Sequence, residues 1–145
     1  MTTYTGLYLK IPAQHRDLRR LEYPVKTILD DMDGAFVRED IQRIILAIHE
    51  LCLYIIAQGS DAEGGGLRHR GTCLTLVVEP QEGGCKVLVS VPAAGNRARL
   101  EETSFCIDDT PIDNLGLWSA QHLMDEVTCE PQAEYDHWRM VKYAV

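Results

Sequence analysis

REDIQRIILAIHELCLYIIAQG, residues 38–59, decides how the rest of the chain is read, because it is the longest run with the pattern of a single buried helix. Ile41, Ile44, Ile45, Ile48, Leu51, Cys52 and Ile55 recur at intervals of three and four, the spacing that lines one face of a 3.6-residue period. Leu46, Leu53 and Ala57 occupy much of the remaining circumference, so this helix is expected to be covered on more than one side. Arg43, Glu50, Tyr54 and Gln58 fall near one stripe, with Glu50 and Tyr54 a single turn apart and directed away from the isoleucines. Such a stripe is expected to look into a pocket. Glu39 and Asp40 complement the dipole in the first turn, whereas Val37 is a poor cap, so another group must satisfy the first amides.

Outward from this helix, Leu7, Leu9 and Ile11 alternate with Tyr8 and Lys10 and stop at Pro12, the pattern of a half-buried strand. Leu18, Leu21, Val25, Ile28, Leu29 and Met32 have helical spacing over residues 16–32, but Pro24 is expected to kink or divide that segment. Gly59 closes the central helix, and SDAEGGGLRHRG after it is an exposed connection without the G-K-[ST] of a phosphate loop. The β-branched runs 72–79 and 86–91, joined by PQEGG, predict an antiparallel hairpin. Residues 92–113 read as a loop or lid, residues 115–127 as a helix, and 127–130 with 138–145 as two final extended runs. The order β, α, α, β, β, loop, α, β, β predicts a mixed, mostly antiparallel sheet with helices on one face, an α+β two-layer sandwich in one domain over residues 1–145.

Composition restricts the function classes. The 145 residues are 46% hydrophobic and 25% charged, and no apolar run approaches the roughly 20 residues that span a bilayer. The first ten residues lack an export signal, so the expected location is cytoplasmic. Five cysteines, odd in number and without a C-x-x-C pair, read as buried free thiols rather than disulfides. A net charge of −8 opposes binding to nucleic acid or anionic membrane and favours protein or small-molecule partners.

No motif for metal or nucleophilic chemistry is complete. His49-Glu50 begins like H-E-x-x-H, but Leu53 stands at the second ligand position. Asp108, Asp109 and Asp113 lack the spacing and glycine of a calcium loop, so no metal ligand is assigned. Glu50 remains as the candidate catalytic residue, because a carboxylate in so apolar a helix is costly unless paired or facing a cavity; pairing with Arg43 or capping a backbone is the alternative.

In the order and spacing of its segments the chain resembles the anti-sigma factor serine kinases, small bacterial members of the GHKL superfamily with the Bergerat, or histidine kinase-like ATPase, fold. The resemblance covers most of the chain: LYLKIPA at 7–13, the 38–59 helix as the N-box, KVLVSV at 86–91, LGLWSAQHLMDEV at 115–127 and RMVKY at 139–143. It implies the same two-layer α/β sandwich. In active relatives the N-box carries a glutamate as general base, matched by Glu50, and four residues later an asparagine that holds Mg²⁺, where this chain has Tyr54. Relatives place an adenine-binding aspartate at the hairpin end, followed by D-x-G-x-G; here the segment is Val91-Pro92-Ala93-Ala94-Gly95. The G-x-G before the last helix reads Asn114-Leu115-Gly116.

A phenol is a poor substitute for a carboxamide ligand to a hard cation, and Val91 has no acceptor for an adenine N–H. Two lost contacts of about 1.5 to 3 kcal/mol each weaken nucleotide binding by roughly two to four decades. The expectation is an anti-sigma-factor-like regulator with a degenerate ATP site at Tyr54, Val91, Gly95, Asn114 and Gly116, a catalytically impaired relative of the serine/threonine kinases. By resemblance its partners are a sigma factor, an anti-sigma factor antagonist or a related signalling protein, with homodimer formation. The alternative is an active serine/threonine kinase that binds Mg-ATP in an altered mode through Glu50, Gly95 and Gly116. A third reading places another small ligand in the vestigial pocket, against Val91, Ala93 and Ala94.

Overall fold

The computed structural model describes residues 6–31, 36–60, 73–81, 83–92 and 115–144. Strand β1 (Leu7–Pro12) leads into a 3₁₀ helix (His15–Leu21) and the helices α1 (Glu22–Asp30) and α2 (Arg38–Ser60). The hairpin β2 (Cys73–Gln81) and β3 (Gly84–Pro92), helix α3 (Leu115–Leu123), and strands β4 (Glu126–Pro131) and β5 (Tyr135–Tyr143) follow. The sheet order is β1-β2-β3-β5-β4, and all four neighbouring pairs are antiparallel, so the expected mixed sheet is corrected to a wholly antiparallel one among the described strands.

Alternation along the strands sends one set of side chains towards the helices. Leu74, Leu76 and Val78 of β2, Cys85, Val87, Val89 and Val91 of β3, and Trp138 and Met140 of β5 are buried there against Ile44, Ile48, Leu51 and Ile55 of α2. This apolar contact is the main cohesive term, at about 25 cal/mol for each Å² removed from water. Two layers result.

Local chemistry sets the element ends. Pro24 is the third residue of α1, where the ring costs no intrahelical hydrogen bond, and the segment divides just before it into a 3₁₀ turn and an α-helix. At the start of α2 the Val37 carbonyl accepts from the amides of Asp40 and Ile41 at 3.0 and 3.1 Å, while Arg43 is paired to Asp40 at 2.9 Å. The hairpin ladder runs to Gln81 opposite Gly84, and Gly83 takes φ +77° in the turn, a conformation that suits a residue without Cβ. Helix α3 ends at Leu123, four residues before the expected end at Val127. Val127 instead pairs with Met140 in the sheet, because its alternation with Cys129 packs both, half-buried, against the core. The loop expected over 92–113 and the connection over 60–71 lie almost wholly outside the described residues, apart from Pro92 in β3 and Ser60 in α2. Among the described residues no helix is long and apolar enough to cross a membrane.

Candidate functional site

Helices α2 and α3 and strands β3 and β5 converge where the sequence places the candidate residues. Glu50 and Tyr54 lie one turn apart on α2, and α3 begins against them. A Cβ added to Gly116 would overlap the Glu50 carbonyl oxygen and stand 3.0 Å from the Tyr54 Cβ. Glycine is therefore required here by the close approach of two helix backbones. Its role in packing is shown; the phosphate-binding role implied by resemblance is a separate matter.

Tyr54 differs from the expectation of a residue looking into an open pocket. It is 2% exposed, and its ring meets Trp138 edge to face at a centroid distance of 5.8 Å and an interplanar angle of 81°. That geometry suits the ring quadrupoles and makes the tyrosine part of the core. Glu50 is half-buried beside it, and Arg43, one of the alternatives the sequence offered as its partner, is turned to Asp40; among the described residues Glu50 has no ion pair. Val91 is fully buried on the helix-facing side of β3. Gly95 and Asn114 lie outside the described residues, as do Ala93 and Ala94.

Asp136 was not singled out by the sequence. It is 6% exposed, and among the described residues it is the buried charged side chain of the fold. In the β3–β5 ladder it stands directly opposite Val91, so both side chains leave the sheet on the helix side. The final strand was expected to begin at residue 138, which left Asp136 outside it. The alternation Asp136, Trp138, Met140 is the signal that would have placed the carboxylate on the buried face.

Chemistry elsewhere is limited. Burial pushes the Cys52 and Cys85 thiols up to about 12, so neither is a nucleophile at neutral pH. Cys106 lies outside the described residues. No group of three histidine, cysteine or acidic side chains converges among the described residues. A cleft of about 460 Å³ between the 3₁₀ helix, α1 and α2 is lined by Leu18, Leu21, Val25, Ile45 and His49, on a different side of α2 from Tyr54.

Comparison with models of protein families gives no match to this chain, and comparison with characterised proteins gives none either.

Proposed function

We propose that this protein is a regulatory relative of the anti-sigma factor serine kinases that acts by binding another protein, its nucleotide site having become part of the core. The observation that carries this reading is Tyr54. Where an active relative holds a magnesium ligand, the phenol ring is buried against Trp138, and the Tyr54 Cβ lies against Gly116. Val91, at the position of the adenine-binding aspartate, is buried and without a polar atom on its side chain. The partner is a sigma factor, an anti-sigma factor antagonist or a related signalling protein, held without nucleotide.

A second reading, an active serine/threonine kinase with an altered Mg-ATP site, is favoured by one observation. Asp136 sets a buried carboxylate directly across the ladder from Val91, one strand away from the position that the resemblance assigns to the adenine acceptor. Glu50 would serve as its general base.

Biolayer interferometry against purified sigma factors and antagonist-domain proteins of the host separates the two. The regulatory reading expects a saturable complex in nucleotide-free buffer that Mg-ATP leaves unchanged. Phosphate transfer from ATP to an antagonist-domain serine, lost in Glu50→Gln, would establish the kinase instead.

A further inference from the structure

Helix α3 lies against α2 through the close approach at Gly116, whereas α1 stands off and leaves the cleft of about 460 Å³ on a different side of α2. Its size falls within the roughly 300 to 1,000 Å³ of small-ligand sites, towards the lower end. One wall comes from the 3₁₀ helix and α1, the other from α2. Leu18, Leu21 and Val25, spaced by three and four, are at most 4% exposed and form the floor together with Ile48. Ile45 is half-buried and Leu46 is 47% exposed, so the α2 wall carries an apolar edge out to solvent. A hydrophobic floor under an open mouth takes an apolar group of limited size.

Charge at the mouth is arranged unlike the charge around it. Arg16 and Arg20 approach Asp17 at 4.0 and 3.4 Å, Lys26 is paired to Asp30 at 3.2 Å, and Arg43 to Asp40 at 2.9 Å. Arg19 and Glu22 are three residues apart and opposite in sign, and both line the cleft; among the described residues neither has an ion pair. Residues three apart stand over one another on a 3₁₀ turn, so a cation and an anion share the same mouth. Gln42 and His49 face them from α2, one turn either side of Ile45 and Leu46. The Gln42 amide can both donate and accept. A bare carboxylate in this cleft would meet Glu22, and a bare amine would meet Arg19. A neutral apolar molecule would cover both charges without replacing their water.

We propose that this cleft is a binding site for a free apolar α-amino acid, such as phenylalanine or leucine, held as its zwitterion. Carboxylate and ammonium are carried on one carbon, which matches a cation and an anion one turn apart. The Arg19 guanidinium donates to both carboxylate oxygens, a pairing for which its planar fork is suited. Glu22 accepts from the ammonium, and Gln42 supplies a third polar contact across the mouth. The apolar side chain rests on Leu21, Val25 and Ile48 beneath the edge formed by Ile45 and Leu46. Arg19 and Glu22 are exposed, so both ion pairs stay partly hydrated and the affinity is modest, between about 10 μM and about 1 mM. Because Tyr54 lies on a different side of α2, the proposal does not depend on the regulatory reading or on a nucleotide.

Amide NMR shifts of the ¹⁵N-labelled chain, titrated with L-phenylalanine, test it beside 3-phenylpropanoate, which lacks the ammonium, and phenethylamine, which lacks the carboxylate. Phenylalanine should give saturable shifts at Glu22, Ile45 and His49. Removing either charge from the ligand should weaken binding about tenfold or more. Arg19→Gln and Glu22→Gln change exposed side chains, and the same spectra check each fold. Each should weaken phenylalanine by a similar factor. The losses should be shared and not multiplied: Glu22→Gln should bind phenylalanine and 3-phenylpropanoate alike, and Arg19→Gln should bind phenylalanine and phenethylamine alike. No saturation below about 10 mM, shifts confined to other parts of the molecule, or losses that multiply would each overturn the proposal. So would equal affinity of the wild type for all three molecules, which would mark the cleft as an apolar surface open to a peptide or a second copy.

Discussion

Tyr54 serves the core and, by resemblance, stands where a magnesium ligand would be needed, so replacing it by phenylalanine and by asparagine separates packing from polarity. Tyr54→Phe keeps the edge contact with Trp138 and should cost no more than about 1.5 kcal/mol. Tyr54→Asn empties ring volume between α2, α3 and β5 and should cost about 3 kcal/mol in urea unfolding. A Tyr54→Asn, Val91→Asp double variant therefore tests nucleotide affinity only while it remains folded. Gly116→Ala should cost about 1 to 3 kcal/mol through the Glu50 carbonyl contact, read from the denaturation midpoint. At the far end of the sheet the Tyr143 hydroxyl donates to Glu126; that hydrogen bond, helped by Arg139, holds the Glu126 carboxyl below its ordinary range, and the same bond raises the Tyr143 phenol above its own. The depressed carboxyl stabilises the fold above its unfolded pKa and loses that contribution as pH falls through the lower folded value. The raised phenol contributes below its unfolded pKa and loses this as pH rises through its higher folded one. Tyr143→Phe should remove the alkaline dependence and raise the Glu126 pKa, measurable by NMR titration.

Elements were legible wherever one periodicity dominated a segment. The isoleucine spacing of α2 identified a 23-residue helix to within one residue of its end. Alternation in β1, β2 and β3 located the strands and the hairpin, and the antiparallel sense of that pair followed from its short turn. The end of α3 was misplaced because LMDEV continues a helical spacing until Val127 and Cys129 are seen to alternate into the core. The pairing of β5 between β3 and β4 was illegible, since it rests on contacts distant in sequence, and with it went the position of Asp136 opposite Val91. The Tyr54 position was read from the sequence as a site residue, but its burial required Trp138, which only the folded sheet brings within reach. For the hairpin, Gly83→Ala should cost about 1 to 2 kcal/mol from the φ of +77° alone, because a Cβ there meets no atom within 4 Å. Thermal unfolding of that variant checks whether backbone conformation, and not packing, selects glycine.

For the whole molecule, an antiparallel sheet with helices on one side leaves the two faces with different chemistry. The helix side is an apolar core interrupted by Asp136 and bordered by Glu50; the other side is charge-balanced and carries tyrosines. The regulatory account needs the first to be closed to Mg-ATP. Thermal unfolding with Mg-ATP at millimolar concentration tests that claim most directly, because a ligand at a hundredfold its dissociation constant adds about 2.7 kcal/mol, a shift of roughly 5 to 10 °C for a domain of this size. The account predicts an unchanged midpoint for the wild type. A shift of several degrees that Asp136→Asn abolishes would contradict it and assign the nucleotide to the carboxylate opposite Val91.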